Sequence, residues 1–318
     1  MPTRASPLRA VTRRDALRLL GRAGVGVTIL SGAGGGSATA AGTGPSILTR
    51  PIPATGEPVP VVGLGTWQTF DVGAGPADRA PLEAVLAAFV ELGGRVVDSS
   101  PMYGRSEQVV GDIAAKLQIH PRLFLATKVW TTGKAAGIRQ MEDSMRELHA
   151  ARIDLMQVHN LVDVDTHLAT LEDWKRAGRV RYVGITHYTA SGHDAVARLV
   201  ASRKLDFIQI NYSVGEREAE RRLLPLARER GTAVIVNRPF AGGDLFARLR
   251  RRPLPVWAAD IDADSWAQVL LKFVVSHPAV TCAIPATSQV THLRDNMQAA
   301  YGRLPDSALR ARIVAEAV

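Results

Sequence analysis

Eight short apolar runs, each followed by a segment with helical periodicity, fill the chain between residues 61 and 301. The runs consist mainly of Val, Ile, Leu and Phe, as expected for parallel strands that are covered on both faces. Eight strand–helix units in succession predict an α/β fold in which the sheet closes into a (β/α)8 TIM barrel rather than staying open. The predicted strands are Val61–Gly65, Arg95–Ser99, Leu123–Val129, Ile153–Val158, Val180–Thr186, Phe207–Tyr212, Ala233–Asn237 and Thr281–Pro285.

A helix is predicted after each strand, and the first helix shows how the ends are recognised. Pro81 stands near its start and Gly93-Gly94 follow its end, and these are the positions at which proline and glycine are favoured. The predicted helices are Pro81–Leu92, Glu107–Leu117, Ala135–His149, Thr166–Ala177, Ala190–Ser202, Arg217–Arg230, Ser265–Ser276 and Thr291–Tyr301.

Two segments depart from this alternation. Ile47–Ile52 and Glu57–Val61 predict a short N-terminal hairpin around Gly56. Ala241–Asp264, after the seventh strand, is a long interruption that contains four arginines. It is either a lid or binding loop whose arginines contact phosphates, or a solvated surface segment. Because no repeat or change of composition marks a second domain, residues 41–318 are predicted to form a single barrel domain.

The first forty residues have the features of an export signal rather than of a folded domain. Thr12–Leu17 reads T-R-R-D-A-L and resembles the twin-arginine signal, Ala23–Leu30 is mildly apolar, and Ala38–Ala40 offers an A-x-A cleavage site. The apolar stretch is too short to span a bilayer. We expect a twin-arginine-type signal peptide in residues 1–40 and a periplasmic or other extracytoplasmic location. The alternative is a frayed basic helix with a Gly-Ala linker.

Charge and cysteine content argue against nucleic acid binding, a disulfide and a metal site. The formal net charge of the 318 residues is +9, of which +5 lies in residues 1–40. The remaining +4 is spread over mixed acidic and basic residues, which argues against nucleic acid as a partner. Cys282 is the single cysteine and no H-E-x-x-H motif is present, so we predict neither a disulfide nor a metal site. The expected macromolecular partner is the twin-arginine export machinery.

Four chemically reactive side chains stand where successive predicted strands end. Asp98 ends the second strand and Tyr103 lies in the turn after it, while Lys128 and His159 stand at the ends of the third and fourth. Strand C-termini converge on one mouth in such a barrel, so these side chains are expected to meet there. Each alone has a structural explanation as a cap, a rim residue or a packing residue. Four of complementary chemistry on consecutive strand ends favour a catalytic site.

The four residue types suit proton donation to a substrate oxygen. A free phenol has a pKa of about 10, too high for efficient donation at neutral pH, but a nearby ammonium lowers it. A carboxylate can hold that ammonium in place and keep it charged. Asp98, Lys128 and Tyr103 are therefore predicted to form a tuned proton donor. His159 is predicted to donate a hydrogen bond to the same oxygen.

The motifs at these strand ends resemble those of the aldo-keto reductases. The similarity spans about residues 59–296 and is carried by Gly63–Trp67 (G-L-G-T-W), Asp98–Glu107 (D-S-S-P-M-Y-G-R-S-E), Thr127-Lys128, Gln157–His159 (Q-V-H), Ile284–Thr287 (I-P-A-T) and His292–Asn296 (H-L-R-D-N). The resemblance implies a barrel that binds NADP(H) without a Rossmann motif and passes hydride to an aldehyde or ketone. It also places the four side chains on the family's catalytic tetrad, with Tyr103 as general acid.

The same resemblance implies a nicotinamide site that carries several substitutions. Gln209 falls where the family holds the nicotinamide amide, Thr186 replaces the usual serine beside it, and His187 replaces the usual asparagine. Asn237 stands where an aromatic side chain normally stacks on the nicotinamide. Arg238 replaces a common serine, and it either contacts the pyrophosphate or forms a salt bridge at the rim.

The adenosine end is altered as well. Ala286 and His292 occupy positions where many members carry Lys and Arg, so NAD(H) is possible beside NADP(H). The cofactor-binding residues that the resemblance implies are Thr66, Thr186, Gln209, Arg238, Phe240, Thr287 and Asn296.

These observations together predict an exported, NADP(H)-dependent carbonyl reductase. The alternative is a nucleotide-binding barrel that senses redox state or regulates a partner with slow turnover. The missing aromatic at Asn237 and the scarcity of NADPH outside the cytoplasm favour that alternative. A hydrolase needs paired acids or a metal at the mouth, and the tetrad supplies a single acid. Trp67 and Trp130 either line an apolar pocket or pack in the core.

Overall fold

The computed structural model describes residues 46–318, which form an eight-stranded parallel barrel with a small antiparallel hairpin. The barrel strands follow one another in sequence order, so each strand pairs with the one before it. The predicted (β/α)8 fold is confirmed, whereas the predicted signal peptide lies outside the described residues. The strands are β1 (Thr49–Pro51), β2 (Pro58–Pro60), β3 (Leu64–Gly65), β4 (Val96–Asp98), β5 (Phe124–Val129), β6 (Ile153–Val158), β7 (Val180–Thr186), β8 (Phe207–Asn211), β9 (Ala233–Asn237) and β10 (Cys282–Ala283).

The barrel closes where the first and last of its strands meet. Gly63 N donates to Ala283 O at 2.8 Å, and Gly65 N donates to Pro285 O at 3.0 Å. Gly65 is needed here for a steric reason, because a Cβ atom at this position would lie 2.8 Å from Ile284 O. The missing side chain therefore lets the two edges of the sheet approach closely enough to pair.

The predicted hairpin covers the N-terminal end of the barrel. Ile52 and Val59 are buried in the same apolar cluster as inward-facing residues of the barrel strands. Tyr182 Oη donates to Glu57 Oε2 at 2.9 Å and lies 2.7 Å from Thr55 Oγ1, so the polar groups of the hairpin are also paired with the barrel. The C-terminal ends of the strands are left as the open end, where functional sites of such barrels are found.

The eight predicted helices are present, and two more occur among residues 46–318. The first begins five residues earlier than predicted, because Pro76 rather than Pro81 occupies the start. None of the helices in this part of the chain combines the length and apolarity needed to cross a bilayer. The helices are α1 (Pro76–Glu91), α2 (Ser106–Lys116), α3 (Lys134–Glu147), α4 (Val164–Arg176), α5 (His193–Ser202), α6 (Leu223–Glu229), α7 (Asp244–Leu249), α8 (Trp266–Ser276), α9 (Val290–Gln298) and α10 (Ser307–Ala317).

The interruption after β9 is a packed part of the fold. It contains α7, whose Leu245 and Leu249 are buried, and a 3-10 segment whose Trp257 is buried as well. Trp257 Nε1 donates to Glu316 Oε2 at 3.0 Å, which joins the segment to α10. Its four arginines are exposed. The segment therefore packs through its apolar residues and presents its charges to solvent.

Candidate active site

A buried ion pair lies at the C-terminal end of the barrel strands. Asp98 ends β4, and Lys128 lies one residue before the end of β5. Lys128 Nζ donates to Asp98 Oδ2 at 2.6 Å and to Ser99 O at 2.6 Å, and the lysine side chain is fully buried. A charge is tolerated in a protein interior when it is both paired and hydrogen-bonded. The Lys128 ammonium meets both conditions.

The second oxygen of the Asp98 carboxylate is also bound. Gln209 Nε2 donates to Asp98 Oδ1 at 2.7 Å, and Gln157 Nε2 donates to the same atom at 3.3 Å. Burial lowers the pKa of Lys128, but the combined effects of the Asp98 and Tyr103 side chains outweigh it, so the pKa of Lys128 lies above its usual value. Lys128 is therefore a permanent cation that is held in one position.

Tyr103 lies in the turn after β4, with the Lys128 ammonium 5.0 Å from the centre of its ring. The turn is held by Tyr103 N, which donates to Ser100 O at 3.0 Å, and by Ser106 Oγ, which donates to Tyr103 O at 2.7 Å. Burial raises the pKa of Tyr103, and the charge of Lys128 opposes this only in part. The expectation of a lowered pKa is therefore wrong for the protein alone. The phenol carries its proton at neutral pH.

His159 follows β6 and completes the predicted group of four. Its ring centre lies 6.0 Å from that of Tyr103 and 6.3 Å from that of Trp130. Burial and the charge of Lys128 lower the pKa of His159 to about 3, so the imidazole is neutral in the physiological range. Its Nδ1 lies 3.1 Å from Ser100 Oγ. A neutral imidazole beside a phenol can polarise a substrate oxygen by donating an N–H.

An open cavity of about 610 Å³ begins at this group. Asp98, Tyr103 and His159 line it, whereas Lys128 lies behind them. A second cavity of about 380 Å³ shares Phe240, Phe246 and Ala286 with the first. All seven predicted cofactor residues line one cavity or the other: Thr66, Thr186, Gln209, Arg238 and Phe240 line the first, and Phe240, Thr287 and Asn296 line the second.

The comparison with known families agrees with this geometry. The sequence profile described as the Aldo/keto reductase family matches residues 61–312, a range that contains all eight barrel strands and the four side chains at their ends. The chain belongs to the aldo/keto reductase family.

Other members of the family show how this aldo/keto reductase relates to proteins of known activity. It is 30% identical to methylglyoxal reductase YeaE of Escherichia coli over 245 residues. The alignment covers 75% of this chain and 84% of the relative. The NADH-specific methylglyoxal reductase of Escherichia coli is 28% identical over 238 residues, 64% of this chain and 71% of that one. The crystal structure of an aldo/keto reductase from Klebsiella pneumoniae in complex with NADP and acetate has a TM-score of 0.65 at 26% identity, covering 81% and 93%.

Unpaired polar atoms in this aldo/keto reductase suit a nicotinamide dinucleotide. Asn160 Oδ1, Asn237 Oδ1 and Arg238 Nε are buried without a hydrogen-bond partner in the described chain, and the three residues line the larger cavity. Arg238 Nη2 lies 3.8 Å from Glu216 Oε1, so the rim salt bridge that the sequence offered as an alternative is present. Amide acceptors and a guanidinium donor around one cavity match the carboxamide and phosphate groups of such a cofactor.

Large apolar side chains surround the mouth of the aldo/keto reductase site. Seven such side chains are exposed among residues 46–318, and five of them line the larger cavity. Trp67, Met102, Trp130 and Tyr188 are between 40% and 50% exposed and lie in the loops after four different strands. An exposed apolar patch of this kind marks a binding surface rather than a packing defect. Trp67 and Trp130 therefore line a pocket and are not core residues.

Other parts of the site differ from the sequence prediction or were missed by it. The four arginines of residues 241–264 line neither cavity, although Gly242, Gly243 and Phe246 of the same segment line the larger one. Gln157 was missed as a partner of Asp98, and its position near the end of β6, two residues before His159, was the available signal. In the described part of the chain, no group of three or more His, Cys, Asp or Glu side chains is placed to hold a metal ion.

Proposed function

We propose that this enzyme reduces an aldehyde or ketone with NADP(H), and that Tyr103 is the general acid. The observation that carries the proposal is the position of Tyr103 beside a permanently charged Lys128 and a neutral His159 at the wall of an open cavity. Membership of the aldo/keto reductase family supports the reaction class. The Klebsiella pneumoniae structures in complex with NADP and with NADPH support the cofactor.

Each of the four side chains has a separate role in the proposed proton transfer. NADP(H), when bound, would supply the hydride that reaches the carbonyl carbon. Tyr103 donates its phenolic proton to the carbonyl oxygen as negative charge develops there, and the raised pKa keeps that proton in place until then. Lys128 stabilises the phenolate that remains, and Asp98 holds Lys128 in position. His159 donates a hydrogen bond to the same oxygen.

The two adjoining cavities would hold the two ends of the cofactor. Thr186 and Gln209 would hold the nicotinamide end, Arg238 would contact the phosphates, and Thr287 and Asn296 would hold the adenosine end.

Discrimination between NADPH and NADH is expected to be weak. The second cavity is lined by His292 and Asp295 but by no lysine or arginine, so a 2′-phosphate would meet little positive charge. A guanidinium binds a phosphate through two hydrogen bonds and a full charge. The His292→Arg variant should therefore raise the ratio of kcat/KM for NADPH to that for NADH, and an unchanged ratio would contradict this assignment of the adenosine end.

The substrate is proposed to be a bulky apolar aldehyde or ketone. The rings of Trp67, Trp130 and Tyr188 offer a large apolar contact area at the mouth, and Trp130 lies 6.3 Å from the His159 ring. Burial of an apolar substrate group against these rings would contribute roughly 25 cal/mol for each Å² removed from water. The Escherichia coli relatives are methylglyoxal reductases by name, so a small dicarbonyl compound is the reference substrate.

Export through a twin-arginine route remains part of the proposal for the whole chain. The support is Arg13-Arg14 in its T-R-R-D-A-L context, the apolar stretch Ala23–Leu30 and the A-x-A site at Ala38–Ala40. This route carries folded proteins, so a cofactor bound before export could travel inside the barrel. That would explain how a nicotinamide-dependent enzyme functions where free NADPH is scarce.

One experiment tests the catalytic proposal and distinguishes it from the regulatory alternative. That alternative is favoured by Asn237, which replaces the aromatic side chain that normally stacks on the nicotinamide. The purified protein is supplied with excess NADPH and a panel of aldehydes and ketones, and both nucleotide oxidation and alcohol formation are measured. Many turnovers per protein molecule support the enzyme. Oxidation of only the bound nucleotide, once per molecule, supports a redox sensor. No oxidation with any carbonyl compound contradicts the proposed function.

A further inference from the structure

The hydrogen bond that His159 can donate depends on which ring nitrogen carries its proton. A neutral imidazole has one N–H donor and one acceptor nitrogen. Nδ1 lies 3.1 Å from Ser100 Oγ, whereas Nε2 forms no hydrogen bond to the described residues, and His159 lines the cavity. Only the tautomer with its proton on Nε2 can donate a hydrogen bond to a substrate oxygen while Nδ1 remains with Ser100.

The surroundings of Ser100 decide between the two tautomers. Ser100 is fully buried, and its Oγ has two polar neighbours: His159 Nδ1 and the backbone N–H of Met102 at 3.4 Å. The Met102 N–H can only donate, so it cannot receive the hydroxyl proton. Nδ1 is the one acceptor within hydrogen-bond distance of this hydroxyl among the described residues. The hydroxyl therefore donates to Nδ1, and the imidazole proton lies on Nε2.

The opposite tautomer conflicts with the structure at two points. If Nδ1 carried the proton, it would donate to Ser100 Oγ, and the buried hydroxyl proton would be left without an acceptor. Nε2 would then present a lone pair to the oxygen of a substrate, which repels it. A doubly protonated ring is disfavoured as well, because burial and the Lys128 ammonium oppose a second positive charge here.

We propose that Ser100 is a positioning residue that fixes His159 in the tautomer with its proton on Nε2. Ser100 acts through the histidine and needs no contact with the substrate. The same residue also accepts the Tyr103 N–H through its backbone oxygen at 3.0 Å, so one residue orients both groups that act on the substrate oxygen. The catalytic consequence rests on the proposed carbonyl reduction, whereas the position of the imidazole proton does not.

The tautomer is measured directly by ¹⁵N NMR of the full-length protein labelled at its histidines. The chain has eight histidines, so the His159 signals are assigned as those lost in the His159→Gln variant. We expect wild-type spectra with a protonated Nε2 and an unprotonated Nδ1. In Ser100→Ala the two tautomers should mix, because the donor to Nδ1 is gone. Ser99→Ala is the matched control, since Ser99 is equally buried and its hydroxyl does not contact His159.

Steady-state kinetics supply the second readout. Loss of one neutral hydrogen bond changes an equilibrium by up to about tenfold, so Ser100→Ala should lower kcat on the order of tenfold while leaving the KM for NADPH unchanged. Thermal unfolding shows whether the variant is folded, and the wild-type spectrum tests the proposal even if it is not. A wild-type His159 protonated at Nδ1 overturns the proposal, as does a Ser100→Ala variant with the wild-type spectrum. A protein with the expected spectrum but no reductase activity contradicts the proposed function alone.

Discussion

Lys128 Nζ and Asp98 Oδ2 lie 2.6 Å apart at the end of two neighbouring strands, and both side chains are almost completely buried. This one contact joins β4 to β5 and also sets the positive charge beside Tyr103. The stability of the barrel and the chemistry of its mouth therefore depend on the same pair of charges.

Lys128→Met should destabilise the protein, because it leaves the Asp98 carboxylate buried without a counter-charge. Removal of one partner of a buried pair costs roughly 3–5 kcal/mol, and the amides of Gln157 and Gln209 place the expected loss near the lower end. Urea unfolding measures it. The Asp98→Asn/Lys128→Met double variant should recover part of the loss. Lys116→Met, which breaks an exposed pair with Glu83, is the control and should change stability by less than about 1 kcal/mol.

Tyr103→Phe should abolish most carbonyl reduction without loss of nucleotide binding. The substitution removes the proton donor and little volume, so we expect kcat to fall by a factor on the order of 10² to 10⁴. Fluorescence titration with NADPH checks that binding is retained. Tyr301→Phe removes a hydroxyl that donates to Leu92 O at 2.8 Å, away from the cavity, and should keep the wild-type rate. Full activity in Tyr103→Phe would show that another group donates the proton.

His159 should make the protein less stable as the pH falls. The folded-state pKa is lowered to about 3 from the usual 6.5 by burial and by Lys128. Below about pH 6.5 the unfolded chain binds a proton on this histidine, whereas the folded protein does not until about pH 3. Acidification therefore stabilises the unfolded state, and the free energy of unfolding falls. Between about pH 7 and pH 5 the wild type should lose roughly 2 kcal/mol more than His159→Gln. If the free energy of unfolding falls by the same amount in both proteins between about pH 7 and pH 5, the lowered pKa of His159 is contradicted.

Much of the fold, and the grouping of four candidate side chains at one end of the barrel, could be predicted because both follow from strand order. Continuous apolar runs indicate parallel strands, and parallel strands in a barrel deliver their C-terminal residues to one mouth. Asp98, Lys128 and His159 therefore lie together although they are 61 residues apart in the chain from first to last. Tyr103 lies where the turn after β4 carries it.

The rest depends on packing and burial, which periodicity does not encode. Helix α10 was missed because it buries only Ile313 and Ala317, and much of its attachment comes from Arg310, which donates to Tyr212 Oη at 2.7 Å and to Glu220 Oε1 at 2.8 Å. The raised pKa of Tyr103 was missed for a related reason. The sequence shows which charges are near the phenol but not how much water is excluded from it.

Trp130→Ala should change substrate preference rather than chemistry. An aromatic contact is worth about 1 kcal/mol beyond its buried area, so kcat/KM for an aromatic ketone should fall at least about tenfold. The value for methylglyoxal, which is too small to span the mouth, should change little. Steady-state kinetics with both substrates measure the difference. An equal loss for both would indicate that Trp130 supports His159 rather than the substrate.

Replacement of Arg13 and Arg14 by lysine should trap the precursor in the cytoplasm, because the paired arginines are the recognised element of the proposed signal. Fractionation and immunoblotting of cells that express each form measure the distribution. Replacement of Arg4 and Arg9 by lysine makes the same two charge-conserving substitutions but spares the pair, so this control should be exported normally. Unchanged export of the Arg13/Arg14 variant would contradict the signal assignment.

The hairpin that covers the N-terminal end of the barrel leaves the C-terminal end as the open one, and Tyr103 lines the cavity there. Glu57 of the hairpin accepts a hydrogen bond from Tyr182 at the covered end, whereas the buried Lys128–Asp98 pair lies at the other end of the strands. Tyr103 lines the open cavity, so in the proposed mechanism it would recover its proton through the opening that the reactants also use. Reprotonation of Tyr103 and exchange of the reactants would then use one opening, and a bound molecule that fills the cavity would delay both.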